Sequence, residues 1–429
     1  MLEQYTALIA LDWADKKHDG CIRDQRSGLI KHFRLSHSPE SIDKWVQGLN
    51  KRFGNKRFAI ILEQSKGALL SALLKYDCFD IFPANPSSIA KYREAFAPSG
   101  AKSDTGDAAL MLDYLQRHFD KLTAWKPDDE NTRKLRLLVE QRRTLVDDRK
   151  RIGNRLTDLL KGYYPQVLEL FPKMGRAVLC HFVLQYPSLA HAQGSSRQEL
   201  LQFFKKHRSG RSALLEKRIN YLESTIALTQ DPAIIDTSIL MATALSEQML
   251  TIIKSIELYE KEIENLFLSH QDAKLFNSLP ASGQNMAPRL LVAFGAQRER
   301  FTSASQLQRV LGIAPVLEQS GNKSWVHWRY NCSKFNRQSI HEWAGITIKH
   351  SLWARAYYAM QRAKGKSHPI AVRALAYKWI RIIFRLWTSN QTYCEATYLA
   401  ALQRNGSPII RFLADNPDLE KLKFSTAYA

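Results

Sequence analysis

Cysteine is scarce in this chain, and its placement excludes two architectures. Cys21, Cys78, Cys180, Cys332 and Cys394 are scattered, odd in number and without a Cys-x-x-Cys pair, which argues against both a disulfide framework and a zinc site. The twelve histidines show no metal-ligand spacing either. No uninterrupted apolar run approaches the ~18 residues of a membrane helix, and no basic-then-apolar leader opens the chain, so a cytoplasmic protein is expected. No internal repeat or low-complexity tract is visible. Negative charge is also in short supply. Asp and Glu number 41 against 62 Lys and Arg, and the resulting +21 and pI near 9.7 point to a polyanionic partner. The deficit is uneven: between Glu318 and Glu395 only Glu342 is acidic, while Lys323, Arg329, Lys334, Arg337, Arg355, Arg373 and Arg381 are among the cations. They alternate with Trp325, Trp328, Tyr330, Trp343, Trp353 and Trp379, a mixture that suits nucleic-acid contact if the rings are not core.

At 429 residues with 45% hydrophobic content, the chain can hold two or three domains with real cores. Residues 1–122 read as α/β. Strands are expected at 7–12, 19–23, 29–35, 58–62 and 79–82, with helices over 39–52, 66–76, 87–96 and 104–119. Three hairpin-connected strands followed by strand–helix units match a ribonuclease H-like domain. Residues 123–270 read as a helical coiled-coil region. Lys126-Pro127-Asp128-Asp129 is a helix start, and Leu135, Leu138, Leu145, Ile152, Leu156, Leu159 and Tyr163 follow three-four spacing over 129–162. A second long helix after Asp231-Pro232 carries Ala242, Leu245, Met249, Ile252, Ile256, Tyr259, Ile263 and Leu266 in heptad register. The two are expected to pair antiparallel, within one chain or between chains. An inserted helical segment at about 165–230 contains the basic knot Lys205-Lys206-His207-Arg208. Residues 271–429 read as mostly helical, opening on a stretch around Pro280-Ala281-Ser282-Gly283 that resembles a helix-hairpin-helix turn, although Ala281 stands where glycine is common.

Four carboxylates carry the chemistry. The apolar runs 7–11 and 58–62 end in Asp12 and Glu63, and Asp104 and Asp107 open a helix three residues apart, so they share a face. Each alone has a bland reading, as turn cap, surface charge or helix-terminus charge. Together they make a set of hard oxygen ligands for Mg²⁺ or Mn²⁺, and two such ions about 3.5 to 4 Å apart would clamp the oxygens of a phosphoryl transfer. Asp15 and Asp19, in the polar turn after the first strand, read as solvated. Ser320-Gly321, read alone, is a turn.

Asp12, Glu63, the string Lys102-Ser103-Asp104-Thr105-Gly106-Asp107-Ala108, then Arg300-Phe301-Thr302-Ser303, Leu311-Gly312-Ile313-Ala314-Pro315 and Gln319-Ser320-Gly321 closely resemble, in that order, the DEDD transposases of the insertion-sequence one-ten family, relatives of the Piv-type DNA invertases. The resemblance implies a RuvC-like first domain whose Asp12, Glu63, Asp104 and Asp107 bind Mg²⁺, and a C-terminal domain with Ser320 as nucleophile. It further implies recombination of donor and target DNA guided by a structured noncoding bridge RNA, in a tetramer built as a dimer of dimers. Lys102, Lys323, Arg329, Lys334 and Arg337 are candidate nucleic-acid contacts. The competing readings are a RuvC-like endonuclease that uses water, with Ser320 a mere turn, and an inactive nucleic-acid-binding scaffold.

Overall fold

Alternation of side chains decides the first unit. In the computed structural model, which describes residues 2–54, 56–63, 67–96, 104–173 and 175–421, without the side chains of Asp104, Thr105, Glu420 and Lys421, the chain forms two compact units, Met1–Pro127 and Asp128–Ala429. The first holds β1 (Ala7–Asp12), β2 (Lys17–Asp24), β3 (Ile30–Ser36), β4 (Phe58–Leu62) and β5 (Phe79–Pro83). Their order in the sheet is β3-β2-β1-β4-β5, antiparallel among the first three and parallel from β1 to β5. Ala7, Ile9 and Leu11 pack under α1 (Pro39–Phe53) and α2 (Ala68–Leu73). Leu8 and Ala10 face the other way, onto Ile89 of α3 (Pro86–Phe96) and Ala108, Met111, Leu112 and Leu115 of α4 (Asp104–Arg117). Helix α1 starts where Ser38 accepts the Ser41 amide and Pro39 fills the first turn.

The second unit is organised by a helical stalk, α5 (Glu130–Tyr163) against α11 (Pro232–Leu268). Asp129 and Asp231 cap their first turns, accepting from the amides of Thr132 and Ala233. The pairing is antiparallel and lies within the chain: Thr132 meets His270, Gln141 meets Tyr259, Arg142 pairs with Glu260, and Gly153 lies against Met249. The α5 seam runs through Leu135, Val139, Leu156, Leu160 and Tyr163, so Val139 and Leu160 take places that heptad counting gave to Leu138 and Leu159. A 3.6-residue turn drifts against a 3.5-residue repeat, and over nine turns the stripe moves by a position. Among the described residues α11 is long and on average apolar enough to cross a membrane, although it holds no uninterrupted apolar run of that length. Its small polar residues interrupt the apolar run without lowering the average much, and here its buried face packs on α5.

Between the stalk helices, α6 (Gln166–Leu170), α7 (Ala177–Gln185), α8 (Leu189–Gln193), α9 (Arg197–Lys206) and α10 (Ser212–Ser224) share a core with the last turns of α5 and the first half of α11. The other end of the stalk is anchored through Leu135, Val139, Ile263 and Phe267 in the core of the C-terminal region. That region contains α12 (Ala273–Asn277), α13 (Gly283–Phe294), α14 (Ala304–Val310), a hairpin of β6 (Val316–Ser320) and β7 (Lys323–His327), then α15 (Lys334–Thr347), α16 (Leu352–Ala363), α17 (His368–Thr388), α18 (Glu395–Arg404) and α19 (Pro408–Asp415). Trp343, Trp353, Trp379 and Trp387 are fully buried in it, which removes three of the six rings named above from contact with a nucleic acid. Trp325 and Tyr330 stay exposed. In the α12–α13 turn Ala281 is held at φ 54°, where a glycine would sit without strain.

Candidate active site

The sheet brings two of the four acids out together. β1 and β4 are parallel neighbours with Leu11 opposite Leu62, so Asp12, at the end of β1, and Glu63, one residue past β4, leave adjacent strand ends. Asp12 continues the series Leu8, Ala10, and Glu63 the series Ala59, Ile61, which are the residues facing α4. Both are half-buried. Asp107 is buried on α4 next to Ala108, which packs on that same sheet face, and Asp104 is the first residue of the helix, one turn earlier. The Asp104 side chain and all of Lys102 lie outside the described residues.

Asp107 is not waiting bare for an ion. Arg93 of α3 donates to its Oδ1 at 2.7 Å, and Tyr92 one position earlier donates to Asp113 at 2.6 Å. Burial and the Asp113 carboxylate push the Tyr92 hydroxyl up to about 12. These two contacts clamp α3 onto α4. Sequence reasoning missed Arg93, since a single arginine in a polar helix carries no signal of its partner. Among the described residues no three His, Cys, Asp or Glu side chains form a ready cation cage. Asp12, Glu63 and Asp107 nonetheless all offer carboxylate oxygen on the α4 side of the sheet, the donor type a hard divalent cation takes.

Asp19 corrects an expectation. It is buried rather than solvated, because it is the ladder partner of Asp12 across the β1–β2 hairpin and shares its face; Arg34 of β3 neutralises it at 3.0 Å. Counting back symmetrically from the turn would have found it. Asp15 is exposed, as expected. Next to Asp19, buried His18 accepts the Ala14 amide at Nδ1 (3.1 Å) and meets His37 through Nε2 (2.9 Å). It thereby pins the loop that follows Asp12. Burial, reinforced by His37, lowers the His18 pKa below its ordinary value.

Ser320 belongs to the second unit and sits, exposed, at the tip of the β6–β7 hairpin. Its ladder partner is Lys323, across the Gly321-Asn322 turn, with Gly321 at φ 56°. Cross-strand partners share a face, so Ser320, Lys323, Glu318 and Trp325 line one side and Leu317 and Val326 the other. Glu318 accepts from the Trp325 indole at 2.7 Å and meets His327 at 2.8 Å, bracing the arm behind the serine. The base is tighter. Arg329 donates to the Ala314 and Pro315 carbonyls and Arg337 to the Arg329 carbonyl, and the guanidinium groups of Arg337 and Arg373 both stack on Trp328. Gly312 has φ 71°, and a Cβ there would fall 2.2 Å from the Cys332 sulfur, so only glycine fits that corner. Lys334 is exposed in the first turn of α15. All five cysteines are free thiols.

Comparison with known proteins meets this geometry at both places. Residues 9–165, from β1 through α5, match a transposase family model of the DEDD IS110 type. Residues 273–359, from α12 through most of α16 and including the Ser320 hairpin, match the transposase family of IS116, IS110 and IS902. The chain is 26% identical over 409 residues to a mini-circle putative transposase for IS117 of Streptomyces coelicolor, covering 93% of this chain and 98% of that one. It is 26% identical over 362 residues to an uncharacterized 42 kDa protein of insertion element IS900 of Mycobacterium paratuberculosis, covering 81% and 86%. A 43.6 kDa protein of IS110, also from Streptomyces coelicolor, is 24% identical over 302 residues, covering 69% and 73%.

Proposed function

We propose, from the premise that this chain belongs to the IS110 family of transposases, that it cuts and rejoins DNA through a covalent serine ester supported by a carboxylate-held divalent cation. The observation that carries this reading is the pairing of two unlike features. One is a set of acids issuing on one face of the five-stranded sheet; the other is a serine at the exposed tip of a braced hairpin. Asp12, Glu63, Asp104 and Asp107 would hold Mg²⁺ or Mn²⁺, which when bound would draw charge from the scissile phosphate. Asp19 is already neutralised by Arg34, so it does not add to the charge repulsion at Asp12.

Ser320 is the attacking group. A serine hydroxyl is a weak nucleophile until its proton is taken, and the exposed tip lets Oγ reach phosphorus in a DNA strand that a buried serine could not approach. Oγ bonds to phosphorus, one deoxyribose oxygen leaves and takes up a proton, and that DNA end remains as a phosphoserine ester. Attack by the hydroxyl of another DNA end reverses the exchange and frees Ser320. No bond energy is lost to water, so joining needs no nucleotide. Lys323, opposite Ser320 in the ladder, contributes positive charge beside the phosphate. Arg329 and Arg337 hold the base of the arm, and Lys334 and Lys102 are phosphate contacts in this reading. The charge of +21 supports a complex that also contains guide RNA, with sequence choice delegated to base pairing, in a tetramer that presents the serine arm of one subunit to the acids of another.

The test is a trapped protein–DNA adduct. Wild-type protein supplied with Mg²⁺, element ends and the RNA transcribed beside the gene should yield an adduct that survives denaturant and maps to Ser320. Ser320→Ala should abolish it. Nicking that persists in Ser320→Ala would instead support a hydrolytic endonuclease.

A further inference from the structure

The inserted module between the stalk helices lies outside both matched segments and takes no part in the chemistry above. We infer that the turn joining α9 to α10 is a docking site for a nucleic-acid phosphate backbone. This goes beyond the strand-exchange reading and does not depend on it.

The turn reads Lys205-Lys206-His207-Arg208-Ser209-Gly210-Arg211, and every lysine and arginine in it is exposed. It is also held rigidly. Arg208 is kept at φ 46°, in the left-handed region that a long side chain rarely occupies, and Gly210 follows at φ 155°. What over-determines this backbone is Arg218 of α10, which donates to the Ser209 carbonyl at 2.6 Å and hydroxyl at 2.7 Å while stacking over Phe171 and Phe204. On the other side the His207 ring stacks on His181 of α7. The one arginine that points inward is therefore the brace, and the remaining cations splay outward from a fixed frame.

The same contacts gather further charge. Phe171, under Arg218, leads into Lys173, and exposed Arg176 precedes α7 one turn before His181. The acids of the module are elsewhere. Arg197 at the start of α9 takes up Glu216 and Glu223 together, Glu199 closes the capping box on Ser196, and Glu169 sits on α6. No carboxylate pairs with Lys205, Lys206, Arg208 or Arg211 among the described residues. Charge is thus sorted within one small module: a self-neutralised side at Arg197 and an unneutralised turn at the other end of α9. A surface formed by chance would intermix the two signs. With neither a base-reading helix nor an exposed aromatic in the turn, it fits phosphates irrespective of sequence.

The experiment replaces Lys205, Lys206, Arg208 and Arg211 with Gln in the full chain and measures affinity for a random-sequence DNA duplex and for an RNA duplex across a salt series. Each lost phosphate contact lowers the salt slope by about 0.9 on duplex DNA, so the slope should flatten by about 3 to 4 and low-salt affinity should fall on the order of 100-fold. A control removes the same charge at Lys31, Lys44, Lys51 and Lys56, exposed on β3, α1 and the loop before β4. It should cost far less. A loss confined to one duplex identifies whether DNA or RNA is the ligand. Lys173→Gln with Arg176→Gln, on a separate segment, should move affinity in the same direction and guards against misfolding of the turn variant. Equal losses in the turn variant and the control, or no loss on either duplex, would overturn the inference.

Discussion

The acid face and the serine arm differ in almost every physical respect. Asp12, Glu63 and Asp107 issue from the ends of buried elements, backed by two apolar cores and fixed by the register of five strands. Ser320 stands on a two-stranded hairpin whose residues from Leu317 to His327 are all exposed, carrying an apolar pair, Leu317 and Val326, on its back. An isolated two-stranded hairpin is marginal in water, and this one depends on its base at Trp328, Arg329 and Gly312. The acids are held by the fold itself, whereas the serine arm is held only at its base.

That contrast can be broken in graded steps. The largest effect is expected from Asp12→Ala, which removes a strand-end ligand without touching either core: adduct formation should vanish in Mg²⁺ while nucleic-acid affinity is kept, and an active variant would exclude the acid face from catalysis. Gly312→Ala comes next. The added methyl meets the Cys332 sulfur in a backbone conformation that suits only glycine, a cost of about 1 to 3 kcal/mol. Adduct yield should fall although the acids are untouched, and the loss should be partly recovered by combination with Cys332→Ala; unchanged yield would show that the arm does not need its base.

A smaller change concerns the guanidinium on Asp107. Arg93→Met leaves that buried carboxylate unpaired, so thermal stability measured with a chelator should drop by about 1 to 3 kcal/mol and added Mg²⁺ should restore more of it than in the wild type. A metal response equal to that of the wild type would mean that Asp107 is structural. The smallest effect is one of pH. His18 has a folded pKa below its unfolded value of 6.5, so folding favours the neutral ring; its contribution to stability is complete above that value and fades as pH falls through and below it. Thermal melts on a descending pH series should show this loss, and His18→Gln, which retains an acceptor for the Ala14 amide, should flatten it. An unaltered profile in the variant would assign the acid sensitivity to other groups.

Much of the first unit was legible because buried strands print themselves as apolar runs. β1 and β4 end where Asp12 and Glu63 begin, and the Asp104–Asp107 spacing marked the start of α4. A proline beside an acid marked both stalk helices, Pro127 before Asp128-Asp129 and Pro232 after Asp231. What escaped was long-range pairing. Nothing in the sequence tells that Arg93 lies on Asp107, or that Asp19 is neutralised by Arg34. Aromatic residues misled in the C-terminal region: Trp343, Trp353 and Trp379 alternate with cations along the chain, yet helical periodicity turns them inward to a common core. The hairpin was legible only as a turn, because exposed strands lack the apolar alternation that signals burial.

The antiparallel stalk has a metrical consequence. At about 1.5 Å per residue, the 17 residues of α5 from Val139, in the C-terminal core, to Leu156, in the core of the inserted module, set the two cores about 25 Å apart along the stalk. Against duplex DNA, whose helical turn advances about 35 Å, that spacing is roughly two thirds of a turn. Because helical rise sets it, that spacing can change only if residues are added to or removed from both stalk helices.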